Sequence, residues 1–157
     1  MRRRLITPTS ETVRSSVEGW LDVERAAVVE FTSEDNDYPV DCAFISGESR
    51  GWRAAAPGSQ TIRLVFDQPQ RLKHISLVFE ENEIARTQEF VLRWSPDAGS
   101  LFREIVRQQW NFSPPGNNSE VEDYQVELSN VTVLELIITP NMSGGDARAS
   151  LKSMRLS

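Results

Sequence analysis

Nucleophilic catalysis needs a base within hydrogen-bond reach of the nucleophile, and the chain offers one histidine, His74, between Lys73 and Ile75. A single imidazole at the start of an alternating segment reads as a surface or rim residue, not as part of a catalytic constellation. The densest acidic run is Glu80-Glu81-Asn82-Glu83. It could serve glycoside hydrolysis only if two carboxylates faced each other across a cleft, about 5–10 Å apart, with one pKa raised. Consecutive acids in one loop repel each other and stay solvated. Cys42 lies in the apolar stretch from Val40 to Ile45, where a buried, inert thiol is expected. Gly-rich phosphate loops, metal-spaced Cys or His sets and nucleophile elbows are all missing. The expectation is a non-enzyme that holds no cofactor. One further cluster stands out: Arg107, Gln108, Gln109, Trp110, Asn111 and Phe112, leading into Ser113-Pro114-Pro115-Gly116. Two aromatics beside amides suit a sugar platform or a protein-contact patch, although aromatics flanking a turn more often serve as core plugs.

Composition narrows the partners. With 157 residues the chain suits one domain able to bury a core of its own, and the single Cys rules out an internal disulfide framework. Its 23 acidic against 17 basic side chains give a net charge of −6, and the one basic run, Arg2-Arg3-Arg4, lies at the amino end. Phosphate-backbone binding needs a clustered basic face, so no nucleic acid partner is expected. No stretch approaches the ~18 consecutive apolar residues of a membrane span. After Met1 to Ile6, Thr7, Pro8, Thr9, Ser10 and Glu11 interrupt any signal-like apolar region, which gives a cytoplasmic expectation.

Most of the chain alternates with period two. Ile62, Leu64 and Phe66 form one apolar face; Ile75, Leu77 and Phe79 a second; Phe90, Leu92 and Trp94 a third; Tyr124, Val126 and Leu128 a fourth; Leu134, Leu136 and Ile138 a fifth. Arg63, Arg71, Arg93 and Arg103 fall between apolar positions, as on solvated strand faces. Turn chemistry separates the runs at Ala56-Pro57-Gly58-Ser59, Asp67-Gln68-Pro69, Ser95-Pro96-Asp97-Ala98-Gly99, Ser113 to Asn118 and Pro140 to Asp146. Strands at this spacing without intervening helices predict an all-β, antiparallel β-sandwich or jelly roll. Leu101 to Trp110 reads as a further strand. From Ser10 to Glu24, Val13, Val17, Trp20 and Leu21 fall near helical spacing, so residues 1–25 are expected to form a short amino-terminal helix or arm ahead of a β-sandwich domain at 26–157.

The order of these pieces resembles discoidin-type (coagulation factor type C), galactose-binding-like domains. The resemblance is carried by Thr32-Ser33-Glu34, Tyr38-Pro39-Val40, Ala43-Phe44-Ile45, Gly51-Trp52-Arg53-Ala54 and the Gln60-led strand. Phe90 to Ser95 followed by Asp97-Ala98-Gly99 is similar to that family's strand and Ser-x-Asp-Gly hairpin, and Leu134 to Ile138 with Ala149 to Leu156 to its closing strands. Within the superfamily, Trp52-Arg53-Ala54-Ala55, Gly58 and Thr61-Ile62 also resemble a stretch in the amino-terminal domain of the X-ray-repair scaffold protein, which uses the sandwich to bind protein partners.

The resemblance implies that ligands meet loops at one end of the sandwich, here Thr32 to Tyr38, Ser46 to Arg53 and Glu80 to Thr87. Their candidate ligand-binding residues are Asp35, Asn36, Asp37, Tyr38, Arg50, Glu81, Asn82, Glu83 and Arg86. Carboxylates and amides suit sugar hydroxyls, Arg forks onto vicinal oxygens, and an aromatic face stacks on a sugar ring. The second candidate patch is Arg107, Trp110, Asn111 and Phe112. Many sugar-binding relatives hold a structural calcium with backbone carbonyls and a last-strand Glu; Ser153 takes that place here, although Glu34, Asp35, Asp37 and Asp41 could supply oxygens, and no metal is assigned. The loop tips are polar, where a membrane-binding relative displays exposed Trp, Phe or Leu, so no membrane partner is expected. Two readings follow: a non-catalytic carbohydrate-binding module with a saccharide partner, or an intracellular protein-interaction or assembly domain with a protein partner.

Overall fold

The structure is a computed structural model and describes residues 19–45, 47 and 50–157. The expected helix or arm therefore lies largely outside the described residues. Its visible end is a single helical turn, α1 (Val23–Ala26), and just before it the Leu21 amide donates to the Leu156 carbonyl at 2.6 Å.

Eight strands follow: β1 (Ala27–Phe31), β2 (Trp52–Pro57), β3 (Gln60–Glu80), β4 (Arg86–Ser95), β5 (Arg103–Phe112), β6 (Ser119–Thr139), β7 (Arg148–Leu151) and β8 (Ser153–Leu156), with a 3₁₀ turn at Val40–Ala43. Every pairing is antiparallel. The large sheet runs β1-β3-β6-β4-β5, with β8 also on β3, and β2 pairs β7 in a separate ribbon. This is the expected antiparallel jelly-roll sandwich.

Two segments expected as separate strands are continuous. Asp67-Gln68-Pro69 makes no turn; it lies inside β3, where pairing with β6 lapses between Val65 and Gln70. Proline has no amide hydrogen to give a ladder, so it is tolerated where pairing is interrupted. Asn130, at φ 59°, faces the same irregularity from β6. Bulges increase local twist, and both long strands thereby pass from one layer to the other. Gln60–Phe66 and the second half of β6 join β1, β4 and β5; the remainder joins β8.

Alternation fills the space between the layers. Ile62, Leu64, Leu92, Leu134 and Leu136 meet Leu72, Ile75, Leu77 and Phe79, all at or below 1% exposure, and the Phe79 and Phe90 rings stack across the interior 5.2 Å apart. Each such side chain contributes about 1.5–3 kcal/mol on burial. On the opposite face of the large sheet, Glu30, Arg63, Glu135, Arg93 and Glu104 stand in register on five neighbouring strands. Arg63 reaches Glu135 at 2.6 Å and Glu30 at 3.2 Å, and Arg93 bonds the other Glu135 oxygen. Arg63 and Arg93 are thus neutralised on the sheet, with Glu135 buried between them.

A polar node joins the first loop to the frame. Gln60 accepts from the Thr32 and Ser33 hydroxyls at 2.6 and 2.8 Å, and the Trp52 indole donates to the Ser33 carbonyl at 2.9 Å. Trp52 is thereby fixed as core.

Candidate functional site

A cavity of about 440 Å³ opens at the loop end of the sandwich, lined by Tyr38, Arg50, Trp52, Arg53, Glu80, Asn82, Glu83, Ser150, Leu151 and Lys152. All three loops singled out by the sequence converge on it. The first loop is stitched to β2: the Asp35 amide donates to the Arg53 carbonyl at 2.8 Å and the Arg53 amide to the Tyr38 carbonyl at 3.1 Å. Asp35 Oδ1 accepts from the Asp37 amide, and Glu34 Oε1 from the Val40 amide. These carboxylates shape the turn that presents Tyr38. Gly51, at φ 73°, lies so close to the β7–β8 junction that a Cβ would fall 2.7 Å from the Leu151 carbonyl oxygen. Only glycine fits the conformation and the gap that set Arg50 and Trp52 in place.

The third loop is held from inside. Arg86 Nε donates to Glu81 Oε1 at 2.8 Å, while Glu81 Oε2 accepts from the Glu83 and Ile84 amides at 3.0 and 3.2 Å. Arg86 Nη1 also reaches the Pro140 carbonyl at 2.5 Å, and its guanidinium lies 4.9 Å from the Phe112 ring centre. Burial pushes the Glu81 carboxyl up, but the two amides and Arg86 outweigh it and hold it below the usual carboxylate range.

Of the nine expected ligand-binding residues, Tyr38, Arg50, Asn82 and Glu83 line the cavity. Asn36 and Asp37 are exposed on the turn, and Asp35 faces Arg148 at 3.7 Å. Glu81 and Arg86 are buried, at 8% and 5% exposure, and hold the loop from inside instead of lining the cavity. The Arg53 guanidinium lies over the Tyr38 ring, 5.2 Å from its centre. Arg53, Glu80 and Lys152 were not among the candidates. Arg53 follows an inward-facing tryptophan on a strand and so must face the other way, a signal present in the sequence. Lys152, between β7 and β8 and 3.6 Å from Glu80, carries no comparable signal.

The second patch does not assemble as a surface platform. On β5 the alternation turns Trp110 and Phe112 toward the interior: Phe112 is buried and Trp110 half-buried. Asn111 and Arg107 lie on the opposite face, Asn111 bonded to Thr87 and Arg107 paired with Glu89 and Glu104 at 3.2 and 3.0 Å. Nearby, the inner face of β6 carries Glu120, at 1% exposure, whose Oε2 has no partner among the described residues. Burial, together with the adjacent Glu122 carboxylate, pushes its pKa up to about 8. His74 is a rim residue, bonded to Asp123 and beside the Trp20 ring.

The calcium arrangement of sugar-binding relatives does not fit this donor set. Arg155 on β8 donates Nη1 to the Ala43 carbonyl at 3.1 Å and Nη2 to the Ile45 carbonyl at 3.2 Å. A guanidinium thus engages two carbonyls at the end of the first loop, and β8 offers Ser153, not a carboxylate, beside them. Among the described residues, no three or more His, Cys, Asp or Glu side chains form a metal-binding group.

The chain shares the antiparallel jelly-roll fold of solved family 32 carbohydrate-binding modules. A family 32 carbohydrate-binding module of C. perfringens NanJ in complex with galactose is 13% identical, with 83% of this chain and 92% of that one covered at a TM-score of 0.59. The family 32 module of AlyQ, in complex with 4,5-unsaturated mannuronic acid, is 17% identical, covering 85% and 95% at 0.59. Reduced XRCC1, bound to the DNA polymerase β catalytic domain, is 13% identical, again covering 85% and 95% at 0.59. No protein-family model matches the sequence, and no curated protein matches it.

Proposed function

We propose that the chain is a non-catalytic carbohydrate-binding module that holds a saccharide in the cavity between Tyr38, Arg53, Asn82 and Lys152. The observation that carries this reading is the convergence of three loops on one concave, polar-lined space mounted on a rigid sandwich. Amides, guanidinium groups and carboxylates there can accept from and donate to ring hydroxyls. The sugar-complexed neighbours of the same fold support it. Hydrolysis finds no support, because the carboxyl raised toward neutrality, Glu120, is buried between the layers and does not line the cavity. The protein-contact reading finds less support, since Trp110 and Phe112 face inward.

A single shallow site of this kind is expected to bind near 1 mM, about 4 kcal/mol. Amide-resolved NMR titration with a panel of monosaccharides and disaccharides tests it. Shifts clustered at Tyr38, Arg53, Asn82 and Lys152, and reduced at least several-fold in affinity by Asn82→Ala, are the expected result. A panel that moves none of these resonances would overturn the reading.

A further inference from the structure

We propose that the saccharide bound in this cavity is acidic, carrying a carboxylate that docks on the Arg53 guanidinium; the proposal rests on the carbohydrate-binding reading. Arg53 is the unusual member of the lining. Its backbone is fixed on both sides by the first loop, and its guanidinium lies over the Tyr38 ring at 5.2 Å. Among the described residues its side chain makes no hydrogen bond or ion pair. A planar fork of five N–H donors, held in place by an aromatic face and left without an acceptor, matches a carboxylate that accepts two parallel bonds.

The charge of the lining points the same way. Lys152 and Glu80 lie 3.6 Å apart and neutralise each other. Arg53 then remains as a lining cation that makes no ion pair among the described residues. Arg50 is already engaged, donating to the Asp37 carbonyl at 3.3 Å, so its charge adds to the local field while Arg53 supplies the open donors. In a concave site this field is less screened than on an open face. Glu83 and Asn82, from the third loop, add a carboxylate and an amide to the lining.

Matched pairs of neutral and acidic sugars separate this inference from the reading beneath it. Galactose and galacturonate, glucose and glucuronate, and mannose and mannuronate are titrated by NMR into wild type, Arg53→Gln and Arg53→Lys, at low and high salt, with inorganic phosphate as a plain anion. The expected result is that at least one acidic sugar binds about tenfold more tightly than its neutral partner. The advantage shrinks with salt, disappears in Arg53→Gln and survives in part in Arg53→Lys. Unchanged amide dispersion in both variants shows that the fold is intact. Equal binding within every pair would overturn the acidic preference and leave a neutral-sugar module standing. An acidic preference that persists undiminished in a folded Arg53→Gln would overturn the role of Arg53. Phosphate binding as tightly as any uronate would reduce the cavity to a general anion site, and no binding by any sugar would remove both claims.

Discussion

Glu81 and Glu120 lie at the same end of the β3–β6 ladder, one just past the last residue of β3 and the other opposite Phe79, yet their pKa values move in opposite directions. Both are buried. Burial alone would raise each. Glu81 has a guanidinium and two backbone amides fixed around it, and these reverse the effect of desolvation. Glu120 has Glu122 beside it and a 3.4 Å contact from the Gln88 amide, so the neutral acid is favoured. Glu81 is satisfied by a cation, as Arg155 also satisfies the Ala43 and Ile45 carbonyls, whereas Glu120 has no cation beside it among its described contacts.

The sharpest way to break this contrast is to remove the cation. Arg86→Met keeps length and apolar contact with Phe112 but leaves Glu81 buried and unpaired, and breaking such a pair removes about 3–5 kcal/mol. Denaturant unfolding should show that loss, and adding Glu81→Gln should recover part of it. The folded pKa of Glu81 lies below its unfolded value, so its contribution is present above about pH 4.5 and fades as pH falls through the folded pKa. A loss under about 1 kcal/mol in Arg86→Met would mean that the amides alone hold the carboxylate.

Glu120 gives the opposite sign. Its folded pKa of about 8 exceeds the unfolded value, so the native state binds the extra proton and stability declines as pH rises from about 4.5 to about 8. Glu120→Gln keeps the shape, stays neutral and should flatten that decline. The variant is expected to match wild type near pH 4.5 and to exceed it near pH 8 by on the order of 3 kcal/mol. Melting curves across this range check it; parallel profiles for the two proteins would show that Glu120 is ionised when folded.

How much of this was legible follows from which signals are local. Period-two alternation identified Ile62 to Phe66, Phe90 to Trp94 and Leu134 to Ile138 as strand faces, because side-chain direction on a strand depends only on position. The Ser95 to Gly99 hairpin was legible for the same reason: the Ser95 hydroxyl bonds Asp97 and Gly99 within five residues. The continuity of β3 was not, since Asp67-Gln68-Pro69 has the composition of a turn and only the β6 pairing on either side of it, at Val65 and Gln70, carries the strand across. The three converging loops were legible as loops, but the inward rotation of Glu81 and Arg86 was not. A charged pair in a polar run looks solvated until the Pro140 carbonyl and the Phe112 ring, both distant in sequence, are brought beside it.

The smallest expected effect extends the contrast to backbone acceptors. Because Arg155 already engages the Ala43 and Ile45 carbonyls, the wild-type melting midpoint should be unmoved by millimolar calcium or by a chelator. Arg155→Gln should lower stability by about 1.5 kcal/mol, the low end for a charge-assisted hydrogen bond on a half-exposed group. The loss should be read alongside Ser153→Ala, which removes a hydroxyl from the same strand without touching the two carbonyls and is expected to be near neutral. A wild-type midpoint that climbs with calcium would show that the guanidinium yields the carbonyls to a metal. The loop end would then depend on an exchangeable cation, whereas Arg86 supplies a covalently attached one, and the two halves of that end would respond differently to chelation.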